Sequence, residues 1–410
     1  MVVTRALLPL FIGLVCFAQA PAALLHDPNV KAALEAARNN EPKTIERQVH
    51  VCEIAAAPFH ETQRGLELKK LFEDLGLKNV RIDKVGNVIG TRPGLAPRPN
   101  LVFSAHLDTV FPEETNVKVS REGNVLKGPG IGDDCRGLAV MLSTIQALDE
   151  AKVQTPGTIT FVADVGEEGL GDLRGVKNLF SESMRGEIDK FISVDGSGMD
   201  IVNIGVGSMR YRVTFKALGG HSYGAFGVAN PIHAMGRAIA KISDFKVPAV
   251  PKTTFNVGRV GGGTSVNSIA SEAWMEVDMR SANVGALKTL DEQFQAAVRA
   301  AVEEENRRWN NRGKVSASPE LVGLRPAGQT PEGSPIVQTA MAVTHALGFV
   351  ESLREGSTDA NVPMNMNIPA ITIGAGGSES GAHTLDESFN TTNSWEGTKR
   401  AVFLAIALAR

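Results

Sequence analysis

The sequence predicts an α/β protein: a mostly parallel sheet covered by helices, with an α+β domain inserted into it. Three observations predict this. Short continuous apolar runs alternate with helical periodicity in the first half, the mark of strands buried on both faces. The middle of the chain changes to strict apolar–polar alternation, which suits half-exposed antiparallel strands. A length of 410 residues exceeds one simple core and suits two domains of about 100–250 residues each.

The opening residues stand apart. MVVTR carries one positive charge, ALLPLFIGLVCFA is an apolar run of 13, and small residues follow at Ala18 and Ala20. This is the pattern of a cleaved export signal over 1–20, too short to span a bilayer core of about 30 Å as a helix. Val15 before Cys16 is larger than a lipid-attachment signal carries, so no lipid anchor is expected. The mature chain is expected to start near Pro21, to be secreted or periplasmic, and to have no membrane association.

Strand and helix patterns then alternate from about residue 40. Residues 53–77 turn helical in their later part, with Gly76 as a stop. NLVFSAHLD, TITFVADVGEE and KFISVDGSG are short β-rich runs, each ending in acid, histidine or glycine. RGLAVMLSTIQALDEAK (136–152) is apolar at Leu138, Leu142, Ile145 and Leu148, a buried helix. Next come two alternating strands, 209–217 and 271–281, and one long amphipathic helix, 286–309. A helix at 334–348 and a strand at 369–377 return the chain to its first domain. The expected division is therefore 21–206 plus 321–410 for the first domain and 207–320 for the insertion.

Composition removes several classes of function. Forty-two basic against 45 acidic residues leave a net charge of −3, which argues against nucleic acid as a partner. The dense charges of EEENRRW pair at helical i,i+4 spacing (Glu303–Arg307, Glu304–Arg308) and suit a solvated helix face. Beyond Cys16 only Cys52 and Cys135 remain, too few for a disulfide framework. His60, His233 and His345 have no motif around them and are expected to be structural.

Five segments place acids or histidines at strand ends or in glycine-rich loops. They are His106 and Asp108 in SAHLDTVFP, Asp133 and Asp134 in GPGIGDDCRG, Glu167 and Glu168 in GEEG, Asp195 in SVDG, and His383 in GAHTLDE. Any one has a bland explanation. A single His-x-Asp is more often a satisfied pair than a metal site, and EEG alone suits a solvated turn. GPGIG lacks the following lysine of a phosphate loop. Together, beyond the carboxyl ends of parallel strands, they point to divalent metal ions held by imidazole and carboxylate.

In this order of motifs the chain resembles the two-zinc metallopeptidase family that contains peptidase T, glutamate carboxypeptidase, acetylornithine deacetylase and succinyl-diaminopimelate desuccinylase. The likeness runs from about residue 50 to 400 and includes GGHS (219–222) and GGGTSVNSI (261–269). It is nearest to the peptidase T-like aminopeptidases.

The resemblance implies that His106, Asp133 and Asp195 hold one ion and that Asp133, Glu168 and His383 hold the other, with Asp133 bridging. The ions would be zinc, with cobalt or manganese also compatible. It also implies a cis peptide after Asp133 and, as catalytic residues, Asp108 orienting His106 and Glu167 acting as general base for a hydroxide that bridges the metals. Strand residues two apart share a side, which would aim the Asp108 carboxylate at the His106 ring. His221, Asn267 and Arg280 match substrate-binding positions, His221 reaching across a homodimer formed by the inserted domain. Cys135 matches no family ligand. The implied activity is an exported exopeptidase cleaving short peptides from the amino end. A carboxypeptidase or an N-acyl-amino-acid deacylase with the same metal site is the alternative, and a non-catalytic binding protein the more distant one.

Overall fold

The computed structural model describes residues 21–410. The expected export signal, 1–20, lies outside them. In chain order the principal helices are α1 (Pro28–Asn39), α2 (Glu41–Cys52), α3 (Thr62–Asp74), α4 (Cys135–Glu150), α5 (Pro231–Ser243), α6 (Val284–Arg308), α7 (Pro335–Ala346) and α8 (Trp395–Leu408). The principal strands are β1 (Lys78–Ile82), β2 (Val88–Arg92), β3 (Asn100–His106), β4 (Thr158–Asp164), β5 (Lys190–Val194), β6 (Ile201–Gly205), β7 (Gly207–Lys216), β8 (Thr253–Gly262), β9 (Glu272–Ser281), β10 (Ser316–Arg325) and β11 (Ala370–Ile373).

The larger unit runs to Ile204 and resumes at Gln329. Seven strands of its nine-stranded sheet follow the path β1-β2-β4-β3-β5-β11-β6, and the short strands Gly328–Gln329 and Leu353–Gly356 both pair with β6. The central strands β4, β3, β5 and β11 pair in parallel, while β1, β2 and β6 add antiparallel edges. Every residue of β3 and β4 is buried, as their continuous apolar sequences predict. Side chains alternate between two cores. Leu101, Phe103 and Ala105 join the cluster under α1, α2, α4 and α8, whereas Val102 joins the opposite cluster with Leu173, Val176 and Phe191.

Two helices begin earlier than the sequence reading placed any. α1 starts at Pro28 in its first turn, and the Asp27 carboxylate accepts from the N–H groups of Asn29 and Val30. Asp-Pro before an alanine-rich run is a helix start signal that the apolar patterning alone passes over.

The smaller unit is Gly205–Gly328. Its antiparallel sheet has the order β8-β9-β7-β10, with α5 and α6 laid on one face. Met209, Tyr211, Val213 and Phe215 of β7 turn to that face and meet Met275, Val277, Leu290 and Phe294. On the other face Arg212 Nη1 pairs with Glu276 Oε1 at 2.6 Å across the strands. The unit extends to Gly328 rather than 320 because β10 completes its sheet as far as Arg325.

Candidate metal centre

Four of the five motifs stand where a strand ends or a helix begins, and the fifth lies in a loop. β3 stops at His106, and β4 stops three residues before Glu167. β5 stops just before Asp195, whose N–H donates to Ile373 O of β11 at 3.0 Å. α4 begins just after the Asp133–Asp134 peptide, which is cis. His383 lies in a loop with φ of 64°, a left-handed conformation uncommon for a residue with a Cβ.

These side chains converge on Asp133. His106 Nε2 is 3.0 Å from Asp133 Oδ1, and His383 Nε2 is 2.9 Å from Asp133 Oδ2. His383 Nε2 is also 3.0 Å from Glu168 Oε1. Three groups bring ligand atoms within 4.8 Å of one another: His106 with Asp133 and Asp195, Asp133 with Glu168 and His383, and His106 with Glu167 and Glu168. The adjacent acid does different work. Asp134 caps α4 through Gly137 N (3.0 Å) and accepts from His106 N (3.0 Å). A Cβ at Gly137 would lie 2.1 Å from Asp134 Oδ1 and 2.2 Å from Val194 O, so only glycine lets the helix start so close to β5.

The electrostatics suit a cation. Burial and the neighbouring Asp133 push the Asp195 carboxyl up to about 7. Hydrogen bonds to Asp133 and Glu168 push His383 up to about 11. Burial alone would lower His106, but Asp133, Asp134 and Asp108 reverse this and hold it well above the usual histidine range. Carboxylates crowded into a buried space raise one another's proton affinity unless a positive charge sits among them. Imidazole and carboxylate donors of this number and spacing fit divalent ions.

Asp108 is placed otherwise than the strand register predicts. Because β3 ends at His106, the chain has already turned at Asp108. The His106 Nδ1 partner is Asp108's backbone oxygen at 2.9 Å, and the carboxylate is 3.8 Å away. That carboxylate instead accepts from the N–H groups of Gly166, Glu167 and Glu168, at 2.8, 3.0 and 2.8 Å. Gly166, at φ of 72°, makes the turn that points the three N–H groups inward. Asp108 thus fixes both the histidine tautomer and the turn carrying the two glutamates.

Several contributors escaped the sequence reading. Glu387 accepts from Gly130 N, Gly132 N and Asp133 N at 2.9, 2.8 and 3.2 Å and holds the loop that presents Asp133. It lies four residues past His383 in GAHTLDE, and that proximity was the available signal. Glu379 reaches Gly132, and burial with the nearby Asp133 and Glu387 raises its carboxyl to about 7. Cys135, two residues beyond Asp133, is fully buried in the main core.

His221, Asn267 and Arg280 belong to the smaller unit. His221 and Asn267 come together there: Ser222 N donates to Asn267 O at 2.9 Å, and His221 Nδ1 accepts from Gly224 N at 3.2 Å. Arg280 is apart on β9, with Nε 2.8 Å from Asp278 Oδ2.

Groups that could hold metal ions, gathered near the carboxyl ends of parallel strands with a glutamate beside them, suit a hydrolase, and the family match makes amide or peptide bonds its target. The chain belongs to peptidase family M20/M25/M40, whose model matches residues 102–406. It is similar to the uncharacterized protein YqjE of Bacillus subtilis, 27% identical over 365 residues (85% of this chain and 93% of the relative). It is similar also to succinyl-diaminopimelate desuccinylase of Corynebacterium glutamicum, 26% identical over 354 residues (82% and 88%). In structure it resembles the aminopeptidase PepT of Bacillus cereus, with a TM-score of 0.73 at 22% identity, covering 90% of this chain and 99% of the other.

Proposed function

We propose that the protein is an exported two-metal exopeptidase that removes residues from the amino end of short peptides. The observation that carries this is the placement of Asp133, with one carboxylate oxygen toward His106 and the other toward His383. A single carboxylate thereby serves two ligand groups. His106, Asp133 and Asp195 would hold one divalent ion and Asp133, Glu168 and His383 the other, with zinc the best match to these donors. When bound, such ions polarise a scissile carbonyl and make a water acidic near neutral pH.

The chain's own residues supply the rest. Glu167, buried beside the ligands, takes the proton of the attacking water and delivers it to the leaving amine. Asp108 keeps it in place by gripping the backbone of its turn. Arg280 would pair with a substrate carboxylate, and Asn267 and His221 would contact the substrate, His221 from a second copy of the chain.

The amino-end reading is supported by AHLDTVFP, VGEEGLGDLRG and STDAN, whose wording is nearest to peptidase T-like sequences, and by the PepT-like fold. The desuccinylase relative favours a second reading, removal of an acyl group from an amino acid. A free tripeptide, its N-acetylated form and its C-amidated form separate the two. Cleavage lost on acetylation and kept on amidation is expected. The reverse pattern would overturn the amino-end assignment in favour of carboxypeptidase or deacylase chemistry.

Export and pairing are part of the same reading. β8 forms one edge of the smaller sheet, and Leu218, Tyr223 and Val266 near His221 and Asn267 are highly exposed. Among the described residues no helix is long and apolar enough to cross a membrane. Protein recovered from the exported fraction should have a mass beginning near Pro21 and sediment as a dimer. A full-length, monomeric and fully active species would refute both.

A further inference from the structure

Behind the turn that carries Glu167 lies a pair of acids that no step above uses. Asp164 ends β4, and Asp359 stands in the STDAN turn before a short helix, Asn361–Asn365. Both are buried, at 0% and 1% exposure. Asp164 Oδ2 accepts from Ser104 Oγ, but Asp164 Oδ1 and both Asp359 oxygens have no hydrogen-bond donor. The two carboxyl groups are each other's partners, and Asp359 lies within electrostatic reach of Glu167.

Two ionised carboxylates cannot share such a place, and a buried oxygen without a donor costs about 1–3 kcal/mol. One proton resolves both problems. Asp164 already accepts from a hydroxyl, which stabilises its charged form. Asp359 accepts from nothing, so it is the better acid to stay neutral. Burial and the charges of Asp164 and Glu167 hold the Asp359 carboxyl well above its usual range, in agreement.

We propose that Asp359 is a positioning residue: its neutral carboxyl group donates a hydrogen bond to Asp164, and this bond anchors the end of β4 so that Glu167 faces the substrate. The inference rests on the assignment of Glu167 as general base. Leu107 N donates to Asp164 O at 2.7 Å, so the same strand end is tied to the His106–Asp108 segment. A neutral Asp359 also places no second negative charge behind Glu167.

The test compares Asp359→Asn, whose amide still donates, with Asp359→Ala, which cannot. On the tripeptide that the wild type cleaves, D359A should lower kcat by about 10–100-fold, the range seen when a supporting group is removed, with KM within about twofold. D359N should keep kcat within about threefold of wild type, since the donor survives. Metal content should be unchanged in both. Infrared difference spectra should show the carbonyl stretch of a protonated carboxylic acid in the wild type and its loss in D359N.

Equal damage in D359N and D359A, wild-type kcat in D359A, or no protonated acid band would each overturn the proposal. Should D359A fail to fold, the kcat and infrared band of D359N still decide it. Glu167→Gln, run alongside, separates the two assignments. If that variant stays active, the base assignment fails. If it is inactive while D359A is fully active, only the role of Asp359 fails.

Discussion

Glu167→Gln is expected to lower kcat by about 10²–10⁴-fold, the range for a lost general acid–base, while both metals stay bound. The amide keeps the shape and cannot accept the proton. Glu168→Gln should behave differently, because Glu168 faces His383 at 3.0 Å and belongs to a ligand group. Its loss should show first in metal content. Elemental analysis alongside turnover reads both effects. Near-normal turnover in the Glu167 variant would mean that another group moves the proton.

Asp133→Ala should empty both ion positions and reduce hydrolysis to background. Asp133 pairs with both histidines, Oδ1 with His106 and Oδ2 with His383. Retention of two equivalents of metal would end the bridging assignment.

The same cluster sets the sign of the pH dependence. In the metal-free protein His383 is pushed up to about 11, and His106 is held well above the usual histidine range, so both carry protons at neutral pH. A ligating imidazole must be neutral, so metal uptake releases protons and weakens as pH falls, by about tenfold per unit for each proton displaced. Calorimetry in buffers of different ionisation heat counts the protons. Uptake without proton release would contradict the arrangement.

The sequence reading reached the sheet and the metal cluster by different routes. Continuous apolar runs such as NLVFSA and TITFVA are legible because burial on both faces leaves no polar position. The alternation of β7 is legible for the opposite reason: one face meets α6 and the other meets solvent. His106, Glu168 and Asp195 stood out because polar groups at strand ends interrupt those runs, and Asp133 and His383 because they stand in glycine-rich loops. The choice of Asp133 over Asp134 came from family likeness. The structure gives its physical content, since Asp134 is committed to the N-terminus of α4 and to His106 N.

What stayed hidden depends on contacts between distant segments. Glu387 meets Gly130 and Gly132 across more than 250 positions, and Asp359 meets Asp164 across 195 (359 minus 164). Periodicity describes neighbours along one element and carries no information about such pairings. Asp108 shows the same limit within three residues. Its spacing from His106 predicts a shared strand face, but the strand stops at His106, and backbone donors 58 to 60 positions away claim the carboxylate. The sequence by itself determined which residues are polar enough to need partners and which segments are apolar enough to pack. Only the tertiary structure decided which partner each polar group found. A buried donor or acceptor must be satisfied by whatever the fold brings within about 3 Å, and the fold brings it from anywhere in the chain.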